Sequence, residues 1–427
     1  MNLFKNVIAS PPPSVVWTNT RSGRRSKDPN QLSFDDFLPS IAQSVSPAKV
    51  SPQSAMETAF SRNYRIKETD LIGEGSLKQK YRQNVEAIRL LKLIESEGRE
   101  ASSEEKSILV RYSGWGGIPQ VFDRYNDDWE KEYEELEGLL TEDEYDSAKA
   151  STPNAHYTPP LIIKFIYDVL SRMGFRGGRI LEPAMGVGHF FGMLPLGIAF
   201  ESRLCGIEID TVSGRISKLL YPDSDIRITG FEDAKLPDNF FDLALSNVPF
   251  GNYRVHDPRY DRYRFSIHDY FFAKAIDVVR PGGMIAFITS MFTLDKKESR
   301  LQKYLFERAD MVGAVRLPNA AFKGIANTSV TSDIILLQKR QEGTIPASCS
   351  WIETKPYLIK KGMEEEINEY FIDNPHMMLG KLAVGKQMYG RNEVTLNPDG
   401  KPLQVALKEA ISHFPEGLLN CFTGSTR

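Results

Sequence analysis

Between residues 157 and 339, short apolar segments alternate with amphipathic ones, and this alternation constrains the fold more than any other feature of the sequence. Short apolar runs are typical of strands that are buried on both faces of a sheet, and the amphipathic segments between them supply helical crossovers. The pattern therefore predicts a doubly wound α/β domain with a mostly parallel sheet. Seven strands are predicted, at residues 179–182, 204–209, 226–229, 241–246, 284–289, 311–316 and 332–338.

No convincing helical segment separates the last two predicted strands, so the sheet is expected to end in an antiparallel pair. Outside this domain the composition changes, and it divides the chain into further regions. Residues 1–56 are rich in Ser, Pro, Asn and Gln and are predicted to form a disordered tail. Residues 57–150 are predicted to be a helical N-terminal region, 151–342 the α/β domain, and 343–427 a small C-terminal extension with an acidic helix near residues 363–370.

Three features of the N-terminal part each leave two interpretations open. The basic cluster at residues 21–27 either contacts nucleic acid or belongs to a solvated tail. Trp115, which lies among three glycines, either stacks on a base or plugs a hydrophobic core. The acidic segment 127–146 has apolar residues at helical spacing and is either a solvated helix face or a surface for a partner.

The overall composition excludes several classes of protein. The net charge of -3 and an isoelectric point near 6.2 argue against a uniformly basic coat for nucleic acid, although they allow a local basic surface. Cys205, Cys349 and Cys421 lie far apart, so neither a disulfide framework nor a zinc site is indicated. No apolar run approaches the roughly 18 residues that span a bilayer, and no signal peptide is recognisable. We expect a soluble, cytoplasmic protein with no membrane partner and no metal; the oligomeric state is left open.

A glycine-rich turn follows the first predicted strand, in the order Glu182-Pro-Ala-Met-Gly-Val-Gly188. In an open parallel sheet, ligands bind beyond the carboxyl ends of the strands, which is where this turn falls. The turn lacks the third glycine of a dinucleotide-binding GxGxxG, because Phe191 occupies that position. The Glu182 carboxylate would repel a pyrophosphate but attract the sulfonium and amino-acid end of S-adenosylmethionine. The predicted cofactor residues of this segment are Glu182, Pro183, Ala184, Gly186 and Gly188.

Other strand ends complete the predicted cofactor site. Glu208, at the end of the second strand, offers two oxygens to the ribose hydroxyls, and Asp210 is predicted to cap the helix that follows. After the third strand, Glu232, preferred over Asp233, offers an acceptor to the adenine amino group, with Phe231 beside it. The last predicted segment comprises Tyr157, Thr158 and Pro159. Two interpretations of it stay open: Thr158 caps the helix that precedes the first strand, or the segment contacts the cofactor.

The fourth predicted strand ends in Asn247-Val-Pro-Phe250, which suits the methylation of an amine. An exocyclic amine on adenine is a poor nucleophile because its lone pair is delocalised into the ring, so two hydrogen-bond acceptors are needed to draw its nitrogen toward a tetrahedral form. Asn247 supplies a side-chain carbonyl, and Val248 supplies a backbone carbonyl that is turned inward because Pro249 restrains the residue before it. Phe250 is predicted to stack on a base rotated out of the duplex. Alone, the segment would read as a turn with a buried aromatic residue; with the upstream glycine turn it favours methyl transfer.

Four arginines follow this segment and alternate with tyrosine and phenylalanine residues. Basic residues interleaved with aromatic ones are typical of a loop that grips phosphates and wedges bases, so DNA is the predicted partner. The alternative is a surface loop whose charge is balanced by nearby aspartates. The predicted DNA-binding residues are Arg254, Arg259, Arg262 and Arg264.

The order of these motifs resembles that of the gamma-type N6-adenine DNA methyltransferases. The resemblance rests on His156-Tyr-Thr-Pro, the turn at residues 182–188 and Asn247-Val-Pro-Phe. Residues 73–415 resemble more closely the N-terminal part of very large methyltransferase-helicase proteins of bacterial conjugative elements and phages. Further matching segments begin at Arg111, Gly230, His268, Arg280 and Thr331. The resemblance implies a Rossmann-like class I methyltransferase fold, S-adenosylmethionine as cofactor and adenine N6 in DNA as the methyl acceptor.

Two departures from the family pattern bear on function. Val248 stands where the family usually has a proline, which frees the backbone and could loosen the catalytic carbonyl. No GxxxxGK[ST] phosphate loop occurs in the sequence, so a helicase partner would act in trans. Two alternatives to a DNA adenine methyltransferase therefore stay open. One is a weak or inactive DNA-binding scaffold of a helicase or anti-restriction system, and the other is a protein glutamine methyltransferase.

Overall fold

The structure, a computed structural model, describes most of the chain after residue 60. The predicted tail at residues 1–56, with its basic cluster, lies outside the described residues. Among the residues described, no helix is both long and apolar enough to cross a membrane. The described residues fall within one compact unit that spans Glu57–Arg427. They are residues 61–153, 157–249, 251–297, 300–322, 330–386 and 392–419.

A seven-stranded sheet forms the centre of the described chain. Its strand order is β3-β2-β1-β4-β5-β7-β6. Strands β1 to β5 pair in parallel, whereas β7 runs antiparallel to both β5 and β6. The strands are β1 Gly178–Glu182, β2 Ser202–Glu208, β3 Asp225–Ile228, β4 Phe241–Asn247, β5 Val279–Ser290, β6 Ala309–Leu317 and β7 Ser332–Lys339.

The sheet confirms the fold predicted from the sequence, including the class I methyltransferase arrangement and the antiparallel pairing of the last two strands. The antiparallel strand β7 is inserted between β5 and β6, so β6 forms the edge of the sheet on that side. Strand β5 begins earlier than predicted, because it continues through Pro281-Gly-Gly283, which reads as a turn in the sequence. Its first residue, Val279, pairs with Phe241 of β4.

The amphipathic segments predicted between the strands are helical. The α-helices are α1 Leu77–Glu97, α2 Ser103–Leu109, α3 Glu130–Leu139, α4 Glu142–Ser151, α5 Pro160–Arg172, α6 His189–Gly192, α7 Leu196–Ala199, α8 Thr211–Leu220, α9 Ile267–Val278, α10 Arg300–Phe306, α11 Glu369–Asp373 and α12 Leu403–Ile411. Short 3₁₀ helices occupy Glu68–Asp70, Pro119–Phe122, Asp127–Trp129, Asp261–Tyr263, Met291–Thr293, Ser350–Ile352 and Pro375–Met377.

Trp115 belongs to a hydrophobic core, and the alternative of an exposed stacking ring is excluded for this structure. Its side chain is 1% exposed. The rings of Tyr81, Tyr112 and Phe122 surround it, with Phe122 at 5.5 Å in an edge-to-face contact. The surrounding glycines let the chain bend around the indole, and Gly114 has a left-handed φ of 62°.

The acidic segment forms α3 and the start of α4, as its spacing predicts. Its carboxylates do not only face solvent, since several pair with basic residues of α1. Arg89 contacts Glu135 at 2.7 Å, and Lys92 contacts Glu144 at 2.7 Å. The charges of this segment therefore help to join the helices of the N-terminal region.

The C-terminal extension begins with a hairpin where the sequence predicts an acidic helix. Strands β8 Thr354–Lys360 and β9 Met363–Asn368 pair antiparallel, and the helix α11 starts only afterwards. The turn between the strands has two residues and contains Gly362, whose φ of 81° favours glycine. Strands β10 Lys381–Lys386 and β11 Asn392–Asn397 form a second antiparallel pair.

A buried ionic cluster joins this extension to the sheet. Arg316 of β6 is fully buried, and it contacts Asp333 of β7 and Asp295, which follows β5, at 2.8 Å each. The backbone N–H of Asn368 donates to Asp295 at 2.9 Å, and the Arg316 guanidinium lies 4.2 Å from the centre of the Phe371 ring. Strands β6 and β7, the segment after β5 and the extension thus meet at one arginine.

We predict that Arg316→Met destabilises the protein by about 3–5 kcal/mol, because the substitution leaves two carboxylates buried without their cation. Urea unfolding followed by circular dichroism measures this change. The matched control is Lys164→Met, which breaks an exposed i,i+4 pair with Asp168 and should cost less than about 0.5 kcal/mol. A loss below about 1 kcal/mol for Arg316→Met would show that the cluster is not what holds the extension.

Candidate active site

The carboxyl ends of the parallel strands open into one cavity of about 760 Å³. It lies where β1 is flanked by β2 on one side and β4 on the other, which is the switch in strand order where open α/β sheets bind ligands. Most of the residues predicted for the two halves of the site line this single cavity. They are Tyr157, Thr158, Glu182, Pro183, Ala184, Gly186, Glu208, Phe231, Glu232, Asn247 and Pro249.

The glycine turn after β1 has the backbone geometry that its sequence predicts. Gly186 and Gly188 both have left-handed φ angles, of 54° and 79°. A Cβ at Gly188 would lie 2.6 Å from the Tyr221 ring, so this glycine permits close packing behind the turn and does not line the cavity. The Gly186 N–H donates to the Glu208 carboxylate at 2.7 Å, and this bond joins the turn to the end of β2.

Glu182, the last residue of β1, is a buried carboxylate that lines the cavity. Its side chain is 1% exposed, and within the described structure its Oε2 atom has no hydrogen-bond partner. Burial raises the pKa of Glu182 well above that of an ordinary carboxyl group, and the charge of Glu208 acts in the same direction. A cationic group in the cavity would supply the missing partner.

Glu208 and Asp210 lie at the end of β2 and have different tasks. The two Glu208 oxygens accept from the N–H groups of Gly186 and Asp210 at 2.7 Å each. Burial, followed by the charge of Asp210, raises the pKa of Glu208 to about 7. Asp210 caps α8, as predicted, because its side chain accepts from the Ser213 N–H at 2.8 Å.

The loop after β3 is held by a residue that the sequence analysis did not single out. The Lys274 Nζ atom, buried in α9, donates to the carbonyl oxygens of Phe231 and Glu232 at 2.6 and 3.0 Å. It also contacts Asp257, which lies downstream of the Asn247 segment, at 3.3 Å. The signal in the sequence is a lysine within an otherwise largely apolar buried helix, where an ammonium group needs acceptors.

The segment before α5 reaches the cavity through two of its three predicted residues. Thr158 is buried, and the Tyr157 ring lies 5.0 Å from the His189 ring. Pro159 occupies the N-cap position and does not line the cavity. Thr158 is therefore not the cap of this helix; it lines the cavity, and a contact with the cofactor stays a prediction. His156 lies outside the described residues.

At the end of β4, the Val248 backbone is held more firmly than its substitution for proline implies. The Val248 N–H, which a proline would lack, donates to the Ile288 carbonyl at 3.1 Å and extends the pairing of β4 with β5. The valine side chain is buried, whereas Asn247 and Pro249 line the cavity. Phe250 lies outside the described residues. The exposed aromatic side chain of Tyr253 also lines the cavity.

The four predicted DNA-binding arginines occupy different surroundings. Arg254 and Arg264 line a second, smaller cavity. Arg262 lies against the Tyr263 ring, with its guanidinium carbon 4.7 Å from the ring centre. Arg259 contacts Asp238 and Asp277 at 2.7 and 2.9 Å, so its charge is offset within the protein.

The N-terminal helical region supplies part of the main cavity wall, which the sequence analysis missed. Tyr112, Gly114 and the end of α4 line the cavity, and the Ser147 hydroxyl donates to Asp210 at 3.1 Å. The His189 Nε2 atom of the helix after the glycine turn lies 3.0 Å from the Val110 carbonyl oxygen. These contacts join residues that are far apart in sequence, so no local pattern indicates them.

Among solved structures, the chain is similar to a candidate class I S-adenosylmethionine-dependent methyltransferase from Listeria monocytogenes. The identity is 15%, the match covers 64% of this chain and 91% of that one, and the TM-score is 0.38. It is also similar to the type I restriction-modification system methyltransferase subunit from Streptococcus thermophilus. In that case the identity is 15%, the coverage is 78% of this chain and 80% of that one, and the TM-score is 0.36.

A relative and a family model match the sequence directly. The chain is 29% identical over 262 residues to defense against restriction protein B of Escherichia phage P1; the match covers 60% of this chain. It covers only 10% of that protein, so the two differ greatly in length. The family model for N-6 DNA methylases matches residues 133–368, which is more than half of the chain. The chain belongs to the N-6 DNA methylase family.

Proposed function

We propose that this protein transfers a methyl group from S-adenosylmethionine to the N6 amino group of adenine in DNA. The observation that carries the proposal is that the buried carboxylate of Glu182 and the amide of Asn247, from the ends of the adjacent strands β1 and β4, line one cavity. The Glu182 carboxylate suits a cationic cofactor, and the carbonyl of the Asn247 amide suits an amine that donates hydrogen bonds. Membership of the N-6 DNA methylase family supports the same acceptor.

S-adenosylmethionine is the cofactor of this methyltransferase fold, and the chemistry of the cavity fits it. Glu182 lies at the glycine turn, where its unpartnered Oε2 atom would meet the cationic methionine end. Glu208 keeps lone pairs for the ribose hydroxyls, and Phe231 and Glu232 would hold the adenine. The remaining residues of the proposed cofactor site are Tyr157, Thr158, Pro183, Ala184 and Gly186. Pro159 and Gly188, which the sequence also predicted for this site, do not line the cavity and would act only through the backbone beside it.

The chemical step depends on how this chain holds the target amine. When bound near Glu182, Glu208 and Glu232, the cofactor would supply an electrophilic methyl group, whose bond to the positively charged sulfur would break as the N–C bond forms, leaving a neutral thioether. Asn247 Oδ1 and the Val248 carbonyl oxygen accept the two N6 hydrogens and draw the nitrogen lone pair out of the ring. Pro249 restricts the Val248 backbone. The hydrogen bond from the Val248 N–H to the Ile288 carbonyl oxygen restricts that backbone further. N6 releases one proton once the new N–C bond has formed, so no strong base is required.

Phe250 and Tyr253 are the proposed stacking residues for a base rotated out of the duplex. Rotating a base out of the duplex costs roughly a few kcal/mol, and stacking of the base on an aromatic ring offsets part of this cost. Tyr253 is exposed and lines the same cavity as Asn247. A stacked base would place its amino group toward the acceptors of Asn247 and Val248.

A role in resistance to restriction is the second candidate, favoured by the name of the phage relative. Methylated DNA resists enzymes that cut the unmodified sequence, so this role is compatible with adenine methylation. It is also compatible with an inactive DNA-binding scaffold that serves a helicase in trans. A glutamine side chain in a protein would need the same pair of carbonyl acceptors and is the third candidate.

One experiment separates these functions. Purified protein is incubated with methyl-labelled S-adenosylmethionine and unmethylated DNA, and the DNA is digested to nucleosides. We expect the label in N6-methyladenine. In a parallel incubation with cell extract in place of the DNA, label in a protein acceptor would favour glutamine methylation. If calorimetry detects cofactor binding but no methyl group reaches any acceptor, the hypothesis of an inactive DNA-binding scaffold remains.

We predict that Asn247→Ala lowers methyl transfer at least ~100-fold, because removal of one preorganised transition-state hydrogen bond has effects of this order. Cofactor affinity should change less than about threefold, since Asn247 lies at the target end of the cavity. Single-turnover kinetics and calorimetry measure the two quantities. Asn247→Asp is the conservative variant; it keeps an acceptor oxygen and should retain more activity than alanine. Equal losses of activity and cofactor affinity in Asn247→Ala would contradict the assigned role.

Cofactor affinity should rise with pH between about 6 and 8. The raised pKa of Glu208, about 7, means that much of this group is protonated at pH 6, and the cationic cofactor favours the ionised form. Binding below pH 7 must therefore release a proton, at a cost that disappears above the pKa. Calorimetry in two buffers with different ionisation enthalpies measures this release. Glu208→Gln should weaken the pH dependence but not abolish it, because the pKa of Glu182 is raised as well. A pH-independent affinity in the native protein would rule the linkage out.

We predict that Lys274→Met weakens cofactor binding about tenfold or more, because the Phe231 and Glu232 carbonyls lose their donor and the loop that receives the adenine loosens. Binding is measured below the unfolding temperature of the variant, so that its lower stability does not enter. Lys218→Met, an exposed change on α8, is the matched control and should leave affinity unchanged. An unaltered affinity in Lys274→Met would restrict this lysine to a role in stability.

A further inference from the structure

A second cavity, of about 430 Å³, concentrates positive charge in a protein whose net charge is -3. We call it the basic cavity. Five of its side chains are cationic and one is a carboxylate. The charged residues are Arg254, Arg264, Lys296, Lys297, Arg300 and Asp269. Two of the arginines were predicted DNA contacts, whereas the other three cations come from the segment after β5, which no motif marked.

The positive charge of the basic cavity is only partly offset. Lys296 contacts Asp269 at 2.8 Å, and Lys297 contacts Glu366 at 2.6 Å. Arg254, Arg264 and Arg300 make no ion pair with any carboxylate in the described part of the chain. Arg300 donates to the Tyr263 carbonyl oxygen at 3.2 Å. Within the described residues no carboxylate neutralises the three guanidinium groups, and arginine is the side chain best suited to the oxygens of a phosphate.

One feature holds the basic cavity in shape, and another marks it as strained. Asp295, directly before Lys296, is fixed by the buried Arg316 and by the Asn368 N–H. Arg264 has a left-handed φ of 54°, a conformation that is unfavourable for an arginine. A strained residue in a concave, charged surface is the kind of feature that occurs at ligand sites.

The basic cavity shares a wall with the cofactor cavity. Tyr253 lines the main cavity, and its neighbour Arg254 lines the basic one. The Ile267 N–H donates to the Tyr253 carbonyl at 2.9 Å, and Ile267 lines the main cavity while Phe265 and Asp269 line the basic one. A polyanion held in the basic cavity would thus lie next to the opening that receives the target base.

We propose that the basic cavity binds backbone phosphates of the DNA strand that carries the target adenine. The proposal rests on the proposed function, which supplies DNA as the substrate, and it adds a site that anchors the strand while one base enters the main cavity. Contacts to phosphates fix register and orientation and carry no sequence information. The basic cavity therefore accounts for strand positioning and not for the choice of sequence.

The test is the double variant Arg254→Gln/Arg300→Gln, which removes two unpaired cations and leaves the lysine pairs intact. The matched control is Arg176→Gln/Arg203→Gln, which removes the same charge at the opposite, amino-terminal side of the strands. Binding of a fluorescent DNA duplex is measured by anisotropy between 50 and about 200 mM salt. Each phosphate contact contributes about 0.9 to the slope of log K against log salt, so the test variant should lower the slope by about 2.

We expect the test variant to bind DNA roughly tenfold or more weakly at low salt, with unchanged calorimetric affinity for S-adenosylmethionine, and the control to bind like the native protein. Equal losses of DNA affinity in both variants would mean that only net charge matters. No loss of DNA affinity in the test variant would mean that DNA does not use the basic cavity. Either result overturns the inference. Tighter binding of RNA of the same sequence, lost in the same variant, would reassign the ligand. Native protein that binds cofactor but neither binds nor methylates DNA would overturn the proposed function as well, whereas native methylation with an unaffected test variant would overturn the basic cavity alone.

Discussion

The parallel pairing of β1 with both of its neighbours is the constraint on which the site depends. Glu182 pairs with Gly206 of β2, and Leu181 pairs with Ala244 of β4. Because all three strands run in the same direction, their carboxyl ends meet at one edge of the sheet. A one-residue shift of β1 would move its side chains to the other face and would take Glu182 away from the glycine turn. The register therefore brings a cationic-ligand site and an amine site into one cavity.

The two cavities have opposite electrostatic character. In the main cavity, Glu182 and Glu208 are carboxylates whose pKa values are raised by burial. In the basic cavity, arginine and lysine side chains outnumber the single carboxylate of Asp269. A sulfonium cofactor and a nucleic-acid backbone need opposite charges. The two environments are close in the chain, because Tyr253 and Ile267 line the main cavity while Arg254 and Asp269 line the basic one. The net charge of the chain conceals this separation.

The segments on either side of the α/β domain contribute to its site and are not simple additions. The N-terminal helical region closes part of the main cavity through Tyr112 and Ser147. The C-terminal extension reaches the segment after β5 through Asn368 and the buried Arg316 cluster. Since Lys296 and Lys297 follow Asp295 directly, the extension also helps to position the basic cavity. Removal of either segment is therefore a change to the site as well as to the fold.

The sequence by itself determined the sheet, the glycine turn and the Asn247 segment, because each is encoded locally by periodicity, by left-handed glycines or by residues around a proline. It also predicted that Glu182 and Asn247 belong to one site, since both motifs end predicted strands of one α/β sheet and follow each other in the chain. Only the tertiary structure decided which residues support them. Lys274 contacts Phe231 across 43 positions of sequence, and Lys296 and Arg254 line the basic cavity from different segments, so no local pattern indicates these partners. The prediction of an acidic helix at 363–370 was wrong because a local signal was present but was overridden. The acidic composition favours a helix, whereas the two-residue turn at Gly362 and the pairing with β8 produce a hairpin.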